Sequence, residues 1–191
     1  MEPDVVAPRL NLTSPANDSV FNVTTFNVSF TIDEAYLSQA ILYLNGSIIN
    51  TYTAEGSYSE TITVTQDGVY NITLWAKDNA SNINRVTIFV TVDTTPPSMS
   101  ITSPSGGDYL NTSQVTIYWS AQDALSGIDH YVIVVDGVVY NDSVPASAAS
   151  YTLTLSKGQH IINITAYDIA GNSNCSGITI TIDLTAPTLT I

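Results

Sequence analysis

Hydrophobic and polar positions alternate with a period of two along almost the whole chain, and no segment carries a convincing 3.6-residue apolar period. Runs rich in Val, Ile, Thr and Tyr are separated by clusters of Gly, Asn, Asp, Ser and Pro, the punctuation of short strands. The pattern predicts strands near 9–13, 24–33, 39–45, 47–53, 57–65, 68–78 and 84–93. A second set is predicted near 98–103, 113–121, 129–136, 137–141, 149–156, 159–168 and 175–183. Asn45-Gly46 and Asp136-Gly137 are hairpin signals at matching places in the two sets. Parity assigns faces. Val28, Phe30 and Ile32 point inward, as do Tyr70, Ile72, Leu74 and Ala76. Val115, Ile117, Trp119 and Ala121 do the same, with Ile162, Ile164, Ala166, Ile178, Ile180 and Ile182. Trp119 aligns with Phe30 and is expected in the core. Trp75 has outward parity and is the better candidate to meet a ligand.

The chain repeats itself at a spacing of about 90 residues. Leu12-Thr13-Ser14-Pro15 returns as Ile101-Thr102-Ser103-Pro104. Ala76-Lys77-Asp78-Asn79-Ala80-Ser81-Asn82 returns as Ala166-Tyr167-Asp168-Ile169-Ala170-Gly171-Asn172. Asp93-Thr94-Thr95-Pro96-Pro97 returns as Asp183-Leu184-Thr185-Ala186-Pro187, and Asp4-Val5-Val6-Ala7-Pro8 is a further copy of that linker. A period this long is a small domain rather than a solenoid unit. We therefore expect one module over 1–95 including its leading linker, a second over 96–185, and the start of a third repeat or a tail at 186–191. Seven short strands per module indicate an all-β, immunoglobulin-like sandwich, two in tandem.

Charge narrows the partners. The net charge is −13, from 17 acidic residues against Arg9, Lys77, Arg85 and Lys157. Nucleic acid and anionic membrane need clustered Lys and Arg, so neither is an expected partner. A single cysteine, Cys175, rules out an intrachain disulfide, and no apolar run is long enough to span a bilayer as a helix. Met1-Glu2-Pro3-Asp4 reads as a start placed inside a linker, with no signal peptide before it. Catalysis finds no support. His130 and His160 are the only histidines; Gly68-Val69 occupies the region of His160 in the first module, and Cys175 has no counterpart either. An intramolecular isopeptide bond would need a core lysine, whereas Lys77 has outward parity and Lys157 falls in a turn.

Two features carry chemistry. The first is the Asn-x-Ser/Thr pattern at Asn11, Asn17, Asn22, Asn27, Asn45, Asn71, Asn79, Asn111, Asn141, Asn163 and Asn174, which is 11 of the 15 asparagines. With 46 Ser and Thr among 191 residues, chance gives roughly four such motifs. Asn27, Asn71 and Asn163 lie mid-strand, and all three have the outward parity that a bulky glycan requires. The second is a set of acids at one pole of each sandwich. Asp93, Asp123, Asp129, Asp168 and Asn172 are expected to gather where the modules join and to suit calcium, which takes 6–8 oxygen ligands. The same pole of module one, with Asp4, Asp33, Glu34, Asp78 and Asn82, also holds Arg9 and Lys77 and is the poorer site. The competing reading is that each Asp is an ordinary turn former.

The strings Trp119-Ser120-Ala121-Gln122-Asp123-Ala124-Leu125-Ser126-Gly127-Ile128, Val135-Asp136-Gly137, Ala166-Tyr167-Asp168-Ile169-Ala170-Gly171-Asn172 and Asp183-Leu184-Thr185-Ala186-Pro187 resemble bacterial Ig-like repeats. Those repeats occur in prokaryotic surface adhesins and as accessory modules of secreted enzymes. Module one departs from the pattern, with Tyr36-Leu37-Ser38 for the Ser-Gly-Ile element and Ser81 where Gly171 stands. The resemblance implies calcium at module junctions, through Asp93, Asp123, Asp168 and Asn172. It also implies an extracellular, cell-surface setting and a structural or adhesive role, with neighbouring modules of the same chain, other surface proteins or glycans as partners. The density of glycosylation motifs looks more like an archaeal surface glycoprotein, of S-layer type, than a bacterial adhesin. The alternative is an accessory, carbohydrate- or substrate-binding domain pair of a secreted hydrolase.

Overall fold

The structure is a computed structural model, and it describes residues 4–189. The chain divides into two compact units, 1–94 and 95–191. In the first, the strands are β1 (Arg9–Ser14), β2 (Ser19–Phe21), β3 (Thr25–Asp33), β4 (Leu37–Leu44), β5 (Ser47–Tyr52), β6 (Gly56–Thr63), β7 (Gly68–Asp78) and β8 (Ile83–Val92). In the second they are β9 (Ser98–Ser103), β10 (Tyr109–Leu110), β11 (Gln114–Gln122), β12 (Ile128–Val135), β13 (Val138–Pro145), β14 (Ser150–Thr154), β15 (Gly158–Asp168) and β16 (Ser173–Ile182). Each unit is a sandwich of a three-stranded and a five-stranded sheet: β1-β3-β6 with β2-β8-β7-β4-β5, and β14-β11-β9 with β10-β16-β15-β12-β13. The all-β expectation holds.

Each unit has eight strands rather than seven, because the first strand is split. β1 pairs antiparallel with β3, and the chain then crosses to pair as β2, in parallel, with β8. β10 does the same with β16. Pro15 and Pro104, each after a cis peptide bond, stand at the crossing. Proline has no N–H for a ladder, so the strand ends there. The parallel partner is two or three residues long, too short to show in a period-two pattern.

Parity placed the cores. Val28, Phe30, Ile32, Ile72, Leu74 and Ala76 are buried in the first unit, and Val115, Ile117, Trp119, Ile162, Ile164 and Ala166 in the second. The inward face of each unit therefore packs two sheets about 10 Å apart. Asn45-Gly46 and Asp136-Gly137 both take positive φ at both residues, the conformation of the two-residue hairpin turn they signalled.

Candidate functional site

The β7–β8 and β15–β16 hairpins explain the acids best. Asp78 ends β7, and its carboxylate accepts the backbone N–H of Asn82 at 2.8 Å and the Asn82 side-chain amide at 2.7 Å. Asp168 ends β15 and does the same with Asn172, at 2.8 and 2.9 Å. Both carboxylates are buried. Burial opposes the charged form of Asp78, but donors from Asn82, Ala80 and Ser81 outweigh it and hold the carboxyl below the usual carboxylate range. The Asp-x-x-x-Asn spacing is thus a clasp that closes the hairpin.

The other acids at these poles also work locally. Asp123 Oδ1 accepts the amides of Leu125 and Gly127 at 3.1 and 2.6 Å and shapes the loop into β12. Asp129 faces His130 at 2.8 Å and is exposed. In the first unit, Glu34 accepts the amide of Tyr36, Asp4 accepts that of Val6, and Asp33 stands opposite Arg9 in the β1–β3 ladder. Asn82 also donates to the carbonyls of Asp4 and Val6, tying down the entering chain. Asp93 follows β8, and its amide donates to Phe21. In the second unit, carboxylate oxygens of Asp123 and Asp168 lie within 4.8 Å of each other. These donors are hard oxygens of the kind calcium takes, and Asp123 and Asp168 are already in use as hydrogen-bond acceptors.

The glycosylation motifs can be sorted by what their side chains do. None of the eleven asparagines is buried: Asn71, Asn141 and Asn163 are half-buried, and the other eight are exposed. Three of them spend their Nδ2 on the protein. Asn17 donates to Asp18, Asn141 to the Tyr151 hydroxyl, and Asn174 to the carbonyl of Pro97. Asn174 has a structural twin in Asn84, which donates to the carbonyl of Pro8. At Asn11, Asn22, Asn27, Asn45, Asn71, Asn79, Asn111 and Asn163 the amide nitrogen makes no hydrogen bond among the described residues, so a glycan there displaces nothing. Gly177 stands opposite Asn163 in the β15–β16 ladder, and the Asn163 carboxamide lies over it in the space a Cβ would fill.

His160 is buried, with Nδ1 2.7 Å from Asp136 Oδ2 and Nε2 2.9 Å from the Ser156 carbonyl. Burial pushes its pKa down, but the two acceptors prevail and the net direction is up. Its counterpart in the first unit is Tyr70 rather than Gly68-Val69: both lie two residues into their strands. The Tyr70 hydroxyl donates to the carbonyl of Gln66 at 2.6 Å, four residues back, as His160 reaches Ser156. The histidine is therefore a corner-holding side chain. Cys175 is exposed.

One further feature was foreshadowed only by the outward parity of Trp75. Tyr43, Asn45, Gly46, Asn71, Thr73, Trp75 and Arg85 line a groove of about 440 Å³ on the outer face of the five-stranded sheet of the first unit. Trp75 sits opposite Arg85 on β8 and Ile41 on β4. Ile41 is only 8% exposed although it shares outward parity with Tyr43.

Comparison with known proteins agrees with this architecture. Residues 8–94 match the family described as glucodextranase, domain B, and residues 97–166 match the bacterial Ig domain. No curated protein sequence matches. Among solved structures, the fibronectin(III)-like modules of Clostridium thermocellum CbhA superpose with a TM-score of 0.57 at 21% identity, over 96% of this chain and 100% of theirs. A 1.5-MDa bacterial ice-binding adhesin gives 0.51 at 16%, over 96% of this chain and 67% of that one. The outer capsid protein Hoc of bacteriophage RB49 gives 0.52 at 11%, over 94% and 71%. At these identities the likeness is one of fold. Among the described residues no helix is long and apolar enough to cross a membrane. The chain folds as two tandem immunoglobulin-like β-sandwich domains.

Proposed function

We propose that the two domains are spacer or assembly modules of a secreted, N-glycosylated prokaryotic cell-surface protein. The observation that carries this is the state of the glycosylation motifs. They exceed chance, none has a buried asparagine, and eight of the eleven keep an amide nitrogen free of protein partners. Among the described residues, each of these eight amides can be modified without breaking a hydrogen bond that it donates within the fold. Peptide mapping of protein purified from its source tests the reading. Glycans are expected at several of the eight free sites, and an intact mass equal to that of the bare sequence refutes it.

Calcium belongs to this proposal as a stiffening ion at the acidic pole of the second unit, where Asp123 and Asp168 approach within 4.8 Å. A melt of the full chain with calcium and with chelator tests it: a raised Tm in calcium is expected, and identical curves remove the ion from the account. The second reading is a pair of accessory domains from a secreted hydrolase, favoured by the match of residues 8–94 to glucodextranase domain B. Retention of the protein on an insoluble glucan, abolished by soluble oligosaccharide, would favour it over the spacer role.

A further inference from the structure

We propose that the outer groove of the first unit is the seat of an N-linked glycan carried on Asn71 of the same chain, with its inner sugar rings packed on Trp75. The inference rests on the glycosylation reading above and adds a place for one glycan. Asn71, Thr73 and Trp75 occupy alternate positions of β7 and so share its outer face. At a rise of about 3.3 Å per residue, Trp75 lies roughly 13 Å along the strand from Asn71. That is within reach of a second or third sugar ring and beyond the first. The Asn71 amide nitrogen is free among the described residues, and its half-buried side chain opens into the groove. Asn45, on the rim, accepts the backbone N–H of Asn71 on its Oδ1.

The lining has the chemistry of a sugar site. Aromatic faces take the C–H faces of pyranose rings, and amide, hydroxyl and guanidinium groups take their hydroxyls. Tyr43 and Trp75 supply the first, and Asn45, Thr73 and Arg85 the second. The Arg85 guanidinium has no ion pair among the described residues, in a chain with 17 acidic side chains. The second unit shows that the fold does not need these groups. By strand register, Tyr43 corresponds to Val134, Trp75 to Thr165 and Arg85 to Cys175. The aromatic pair and the cation belong to the unit in which Asn71 stands beside them.

The test uses the full chain secreted from a host whose N-glycans begin with chitobiose, beside the bare chain made in a host without N-glycosylation. Trp119 is buried, so acrylamide quenching of tryptophan fluorescence reports chiefly on Trp75. Occupancy at Asn71 is read by mass spectrometry. The expected result is an occupied Asn71, with a quenching constant for Trp75 at least twofold lower than in the bare chain. Asn71→Gln should restore the bare value while the other glycans remain. Asn71→Gln should also lower the Tm of the glycosylated chain, and in a Trp75→Ala background that loss should disappear. An occupied Asn71 with unchanged quenching overturns the seat and leaves the glycosylation reading standing. Glycans at other sites with Asn71 bare do the same. A chain bare at every site in this host and in its source overturns both. Saturable quenching of the bare chain by micromolar N,N′-diacetylchitobiose would mean a free saccharide is the occupant, and would overturn the assignment to Asn71.

Discussion

Removing the Asp168 carboxylate decides whether the acidic pole of the second unit is held together by its own hairpin. The side chain is 2% exposed and accepts two hydrogen bonds from Asn172, one from the backbone and one from the side-chain amide. Hydrogen bonds to a charged group contribute about 1.5–3 kcal/mol each. Asn172 is only half-buried, so water can replace part of what is lost, which places Asp168→Ala near the lower end, at about 2–4 kcal/mol. For a domain of this size each kcal/mol moves the Tm by about 4–8 °C, so the second unit should melt roughly 8–32 °C earlier. Asp168→Asn keeps an acceptor for the backbone N–H but loses the charge, and should fall between. The assay is thermal unfolding in a Trp75→Phe background, where Trp119 reports the second unit alone, with calcium and with chelator. The shift should appear in chelator. A variant that melts with its parent in chelator, and separates from it only in calcium, would refute the clasp and make Asp168 a metal ligand first.

The remaining predictions follow from other contacts. Asn174 should stay bare in native protein because its amide holds Pro97, and Asn174→Ala should cost about 1 kcal/mol, whereas Asn111→Ala should be neutral within the error of a melt. The His160–Asp136 pair should give the second unit a stability maximum between about pH 4 and 6.5. The raised His160 pKa stabilises below its unfolded value and is lost as pH rises through the folded one; the lowered Asp136 pKa stabilises above its unfolded value and is lost as pH falls. His160→Gln should abolish the alkaline decline, measured by Trp119 melts across pH 5–8.5. Trp119→Ala should cost about 3–5 kcal/mol by leaving a cavity, and Trp119→Phe far less, because the buried indole N–H has no partner to lose; chemical denaturation compares the two.

Period-two parity was enough for the sandwich and for its cores, because a strand with one buried face records the burial in every second residue. Trp119 and Phe30 were assigned inward on that ground alone, and both are buried. The split first strand was not legible, since two or three residues paired in parallel leave no pattern. The acids are a different case. Their placement at one pole follows from topology, but a residue list cannot say whether an Asp faces a cation or its own backbone. At Asp78 and Asp168 the Asn four residues on donates to the carboxylate, a role that the spacing alone did not show. Strand register sets His160 against Tyr70 rather than Gly68-Val69, at the same spacing of about 90 residues as the rest of the repeat.

The two units act as controls for each other. A feature present in both at the same register is explained by the fold they share. The Asp-x-x-x-Asn clasp, the Asn84 and Asn174 ties to the entering chain, and the side chain that reaches a carbonyl four residues back all pass that test. They are requirements of an Ig-like hairpin and need no ligand. A feature found in one unit on a solvent-facing strand has to be explained otherwise, because the other unit folds without it. Trp75 and Arg85 stand opposite each other on β7 and β8, where the second unit has Thr165 opposite Cys175. Trp75 is half-buried on an outer sheet face where the second unit folds with Thr165, and an arginine without an acidic partner among the described residues is unexpected in a chain of net charge −13. Replacing both by their counterparts, Trp75→Thr with Arg85→Cys, should therefore leave the stability of the bare first unit within about 1 kcal/mol, the sum of about 0.5 kcal/mol for each of two surface substitutions. A larger loss would make the pair part of the fold after all and would remove the reason for assigning it a ligand.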